Sequence, residues 1–144
     1  MNTQANNKKK VLFICTHNSA RSQIAEGLMN AMLGERYEAK SAGTEPSEVN
    51  PLAIEIMSEI GIDIRSHRSK SVDEFINQDF DYVITVCDQA NETCPFFPGG
   101  KERTHKGFKD PAAVEGNKKA RLAAFRRSRD EIREWIIHKF IASK

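Results

Sequence analysis

Cys15 and Arg21 are separated by Thr16, His17, Asn18, Ser19 and Ala20, five residues without a carboxylate among them. Residues 11–14, Val-Leu-Phe-Ile, run directly into the cysteine, and Ser22 opens an amphipathic stretch. That order reads as strand, anion-binding loop, helix. Successive loop amides, with Ser22 at their end, can converge on a tetrahedral oxyanion at the helix N-terminus. Cys15 would then sit beneath the anion as nucleophile. The working form of such a cysteine is the thiolate, and a helix N-terminus contributes only ~0.3 to 2 kcal/mol to a nearby anion. Further stabilisation is therefore assigned to Arg21, whose fork suits two oxygens of the anion, and to the Ser22 hydroxyl, which can donate to sulfur.

Two more cysteines, Cys87 and Cys94, lie seven positions apart. On a continuous helix that spacing places them on one face but ~10 Å apart along the axis, whereas a disulfide needs Cα atoms within ~7 Å. They can pair only if the intervening segment is not a continuous helix at that moment. Pro95, Pro98, Gly99 and Gly100 follow at once, which suits a segment that changes shape with oxidation state. A zinc site using Cys87, Cys94 and His105 matches no common ligand spacing, and no metal is expected.

The elements that must carry these residues follow from periodicity. After the first strand, Ile24, Ala25, Leu28, Ala31 and Met32 recur at helical spacing up to Gly34. Residues 37–42 read as a second strand and 43–51 as a turn; Leu52, Ile56 and Ile60 share a helical face ending at Gly61. Residues 72–77 suggest a helical turn, 82–86 a buried strand ending at Cys87, and 103–106 a weak fourth strand. Asp110-Pro111 is a turn, and residues 117–140 form a closing helix with Leu122, Phe125, Ile132, Trp135, Ile136 and Phe140 as its buried stripe. Strands alternating with helices imply an α/β single domain, a small four-stranded parallel sheet with helices on both faces. In such sheets ligands sit at the carboxyl ends of the strands, the edge to which Cys15, Cys87 and the Asp110 loop all lead.

Composition narrows the class. The 144 residues suffice for one core without disulfide staples; a polar tail, residues 1–9, precedes the domain at 10–144. With 22 basic and 20 acidic residues the net charge is +2, too balanced to indicate nucleic acid or a membrane surface. The beginning of the sequence has no apolar leader, and an odd number of cysteines argues against a secreted disulfide framework. A cytoplasmic monomer is expected. His67, His105 and His138 show no partner pattern and read as structural or solvated, and the basic run 118–129 as a solvated helix face.

The run CTHNSARSQIAEG from Cys15 resembles the oxyanion loop shared by low-molecular-weight protein tyrosine phosphatases and the arsenate reductases built on that fold. VCDQANETCP, containing Cys87 and Cys94, is similar to the redox segment of the thioredoxin-coupled arsenate reductases, and GFKDPA around Asp110 to their acid loop. The resemblance implies the low-molecular-weight phosphatase-like fold and reduction of arsenate to arsenite. Cys15 would attack arsenate held by the loop amides and Arg21 while Asp110 protonates the departing oxygen; Cys87 then attacks Cys15, and Cys94 attacks Cys87. Thioredoxin would reduce the final disulfide, with no tightly bound cofactor, and phosphate or sulfate would compete for the loop. A phosphatase acting through a Cys15 phosphoenzyme is the alternative, and a non-catalytic oxyanion or redox sensor a second.

Three departures from the family pattern bear on the site. His17 stands where glycine is usual, a position where histidine tolerates a positive φ better than most residues, and Ala20 stands where a further cysteine is common. In some relatives potassium lies beside the loop, bound by residues matching Asn18, Glu26 and Ser41 and by an aspartate that aligns with Lys70. The expectation is that the Lys70 ammonium takes the cation's place, pairs with Glu26 and makes the enzyme independent of potassium.

Overall fold

The computed structural model describes residues 8–142. Four strands, β1 (Lys9–Cys15), β2 (Tyr37–Gly43), β3 (Phe80–Thr85) and β4 (Gly100–His105), form one sheet in the order β2-β1-β3-β4. All three pairings are parallel. Val11 to Ile14 in β1 have no exposed surface, as expected for a central parallel strand covered on both faces. β4, at one edge, carries exposed Lys101, Glu102 and Arg103, charges that discourage pairing with another chain.

Four α-helices complete the domain: α1 (Arg21–Leu33), α2 (Pro51–Ser58), α3 (Asp88–Thr93) and α4 (Lys118–Ile137). α1, α2 and α4 pack against one another. The β1-to-β2 and β3-to-β4 connections run in opposite directions across the sheet, so right-handed crossovers place α1 and α3 on opposite faces. Phe125, Ile132 and Ile136 of α4 are buried, Leu122 and Trp135 partly so, and the helix passes into a wider π-type turn, His138–Ala142, that buries Phe140.

Some boundaries differ from the sequence reading. α2 stops at Ser58, leaving Ile60 exposed rather than on the buried face. The chain closes there through bonds from the Gly61 and Ile62 amides to the Ser58 and Met57 carbonyls, with Gly61 at φ +80°. Ala31 is exposed while Met29 is buried, because α1 is covered by the sheet and two helices together rather than along one stripe. The helical turn of residues 72–77 is a short 3₁₀ turn, Val72–Glu74, and β3 begins earlier than expected, at Phe80.

Candidate active site

β1 ends at Cys15 and α1 begins at Arg21, so the expected loop spans the carboxyl edge of the sheet. Its carbonyls are held from outside: those of Cys15, Thr16, His17 and Ser19 accept from the amides of Thr44, Glu45, Ser47 and Asn50. With those four carbonyls held from outside, the amides of residues 16, 17, 18 and 20 face the opposite way, and among the described residues none of the amides of residues 16–21 is bonded to another protein group. Gly43 is required for this approach. A Cβ there would lie 2.6 Å from the Thr16 carbonyl oxygen and 2.9 Å from the Asn18 nitrogen.

The left-handed residue of the loop is Asn18, at φ 50°, and not His17. Asparagine enters this region more readily than other non-glycine residues, and here its buried side chain completes a network. Asn18 Nδ2 donates to Ser22 Oγ (2.8 Å) and Ser41 Oγ (2.9 Å), while Oδ1 accepts from Gln23 Nε2 (2.9 Å) and the Lys70 amide (2.8 Å). Because Ser22 Oγ already accepts from Asn18, its own hydrogen is free for Cys15 Sγ, 2.8 Å away. His17 is exposed, with ring Nδ1 2.9 Å from the Glu45 carbonyl oxygen.

Cys15, His17, Ser19, Arg21, Ser47 and Asp110 line a pocket of about 100 Å³. That is well below the roughly 300 to 1,000 Å³ of sites for drug-sized ligands and suits a small inorganic anion. Arg21 Nη1 donates to the Phe108 carbonyl (3.0 Å), and Nη2 lies 3.8 Å from Asp110 Oδ2. Asp110 itself caps the turn Pro111–Ala113 by accepting from the Ala112 amide, and its side chain is 43% exposed. The carboxyl group is thus fixed at the pocket mouth with access to water.

Glu26 meets the Asn18 network through Ser41. Its carboxylate accepts from Ser41 Oγ (2.5 Å) and lies 3.9 Å from Lys70 Nζ and 3.8 Å from His67 Nε2. Lys70 Nζ also donates to the Arg68 carbonyl, and its side chain is only 12% exposed. Burial pulls the ammonium below the usual lysine range, Glu26 opposes that shift, and Arg68 adds to it. The geometry brings Asn18, Glu26, Ser41 and Lys70 into one cluster.

The remaining cysteines frame α3: Cys87 is its N-cap and Cys94 its C-cap. Ile14 pairs with Thr85, and the Val86 amide donates to the Ile14 carbonyl, so Cys15 and Cys87 leave adjacent strands at the same edge. Cys87 Sγ is 3.2 Å from Thr16 Oγ1. Cys94 is half-buried, its thiol donating to the Pro95 carbonyl (3.4 Å), and burial pushes that thiol up against the opposing influence of Arg103.

Sequence reasoning missed Gln23 and His67. Gln23 is buried, donates to Asn18 and the Arg68 carbonyl, and faces His67 Nδ1 at 2.9 Å, linking the loop to Glu26. The one signal was a polar residue directly before the apolar face of α1. The side chain of Thr16 was likewise expected only as part of the loop, not as the neighbour of Cys87.

A model of the low molecular weight phosphotyrosine protein phosphatase family matches residues 10–140. The chain belongs to that family. The arsenate reductase of Halalkalibacterium halodurans is 48% identical over 126 residues, covering 88% of this chain and 91% of that one. Among solved structures, an arsenate reductase in the phosphate binding state superposes with a TM-score of 0.79 at 32% identity, covering 94% of this chain and 98% of the other. The thioredoxin-dependent arsenate reductase of Corynebacterium glutamicum superposes with a TM-score of 0.62 at 32% identity, covering 92% of this chain and 65% of its own. Among the described residues no helix is long and apolar enough to cross a membrane, and no group of three or more candidate side chains could hold a metal ion.

Proposed function

We propose that this protein reduces arsenate to arsenite by a relay through Cys15, Cys87 and Cys94, and that thioredoxin regenerates it. The observation that carries this reading is the placement of the cysteines: one beneath an anion pocket, a second at the end of the neighbouring strand, a third at the far end of a single short helix. A phosphatase requires only the first. Cys15 attacks arsenic in the anion held by the loop amides and Arg21, and Asp110 supplies the proton to the departing oxygen. Cys87 attacks the Cys15 sulfur; arsenite leaves with the electron pair of the sulfur–arsenic bond, and a Cys15–Cys87 disulfide remains. Cys94 then attacks Cys87 and Cys15 departs as thiolate. The six-residue helix between Cys87 and Cys94 must unwind for that last bond, since seven residues of helix span ~10 Å and a disulfide tolerates ~7 Å.

In this reading Asn18, Glu26 and Ser41 support the loop, and Lys70 supplies the positive charge beside Glu26. The enzyme acts in the cytoplasm as a monomer, with phosphate and sulfate as competing ligands. The test is arsenite formation with thioredoxin, thioredoxin reductase and NADPH, beside glutaredoxin and glutathione. Turnover with thioredoxin, reduced in Cys94→Ser to a single arsenite per Cys15–Cys87 disulfide, is the expected result. Hydrolysis of aryl phosphates with no arsenate turnover in either system would favour the phosphatase alternative.

A further inference from the structure

Six residues do not sustain a helix in water, where ~12 to 15 are marginal, and of α3 only Ala90 is buried. Contacts from the sheet must hold it, and they fall into two sets that meet at the Thr85 hydroxyl. At the first turn, Asp88 Oδ1 lies 2.8 Å from His105 Nε2, and His105 Nδ1 lies 2.8 Å from Thr85 Oγ1. At the second turn, Asn91 is held twice: its carbonyl accepts from Arg103 Nη2 (3.2 Å) and its Oδ1 from Thr85 Oγ1 (3.3 Å). Downstream, Phe97 is buried and its carbonyl accepts from the Gly100 amide, whereas Phe96 is 77% exposed. Between buried Cys87 and buried Phe97, residues 88–96 are therefore a stretch with little buried surface.

The relay proposed above imposes a direction on that movement. Once Cys15 and Cys87 are joined, Cys87 is tied to the end of β1, so Cys94 must travel to Cys87. We propose that α3 opens from its C-terminal end, with His105 on Asp88 as the positioning contact that keeps Cys87 in place and Asn91 as the catch that releases Cys94. In the step so gated, the Cys94 thiolate, its proton lost to water, forms the bond to Cys87 Sγ as the Cys15–Cys87 bond breaks. Cys15 leaves with the electron pair, and the protein neither gains nor loses electrons. The two contacts thus serve different exchanges. The first turn serves the attack of Cys87 on Cys15, and the second restrains the attack of Cys94 on Cys87.

The experiment is a single turnover of the full-length protein with arsenate and no reductant, quenched in acid, alkylated and analysed by peptide mass spectrometry. Asn91→Ala should speed conversion of the Cys15–Cys87 to the Cys87–Cys94 disulfide by about two- to tenfold, the range of one hydrogen bond, with formation of the first disulfide unchanged. Asn91→Asp, which keeps an acceptor for Thr85, should restore the ordinary rate. Asp88→Ala, examined in a Cys94→Ser background that stops at the first disulfide, should slow that step by a similar factor while phosphate still protects Cys15 from iodoacetamide. An unchanged or slower second exchange in Asn91→Ala, or an unaltered first exchange in Asp88→Ala, overturns the proposal. Absence of any Cys87–Cys94 disulfide in the unaltered protein would instead overturn the relay itself.

Discussion

The loop after β1 and the segment after β3 both begin with a cysteine at the carboxyl end of a neighbouring strand, yet they are built in opposite ways. Residues 15–22 are largely buried; four of their carbonyls accept bonds from the segment 44–50, and Asn18 ties them to α1, β2 and Lys70. Residues 88–93 bury a single alanine and are held by a few partly exposed polar contacts. The difference matches two chemical needs. Stabilising an anion in a transition state depends on donors that do not reorganise, whereas handing a disulfide from one place to another depends on a segment whose opening costs little. One fold holds both because the rigid station sits on the central strand and the movable one beside an edge.

Breaking the rigid half should have the largest effect. Cys15→Ser should abolish arsenate reduction, and Arg21→Lys, which keeps charge but loses the fork, should lower kcat/KM for arsenate by about 100-fold or more, measured in the thioredoxin-coupled assay. Asn18→Ala should lower stability by about 1 to 3 kcal/mol, since it strands the Ser22, Ser41, Gln23 and Lys70 partners. Thermal unfolding should then fall by several degrees.

The movable half is sharpened by pH. Burial holds the Cys94 thiol above its ordinary range, so its folded value exceeds the value in an opened segment. The closed helix is favoured while Cys94 is neutral and loses that advantage as pH rises through the raised value. The second exchange should accelerate across the alkaline side of ~8.5, the ordinary thiol value, and rapid-quench rates between about pH 7 and 10 will show it. A flat profile would mean that ionisation of Cys94 does not limit opening. The smallest effect is expected at Lys70. Replacing sodium by potassium at equal ionic strength should leave activity and Tm unchanged in the native protein, and Lys70→Asp should acquire a response to potassium.

Much of this molecule was legible from local patterns. The apolar run into Cys15, the five-residue gap to Arg21 and the alternation of strands and helices are short-range signals, and they specify a parallel sheet with a strand–loop–helix junction at its carboxyl edge. The spacing of Cys87 and Cys94 likewise showed that the two could not form a disulfide across a continuous helix. Tertiary structure decided what depends on groups distant in sequence. The positive φ fell on Asn18 rather than His17 because Ser41, Gln23 and Lys70 together satisfy an asparagine there. Gln23 and His67 joined the site because α1 lies against the segment 67–70, a meeting that helical periodicity cannot express. α3 formed, though six residues are too few to do so alone, because β3 and β4 offered Thr85, His105 and Arg103 to hold it. Sequence thus marked the groups to which the proposed chemistry is assigned, and packing determined which of them are held by many buried contacts and which by few.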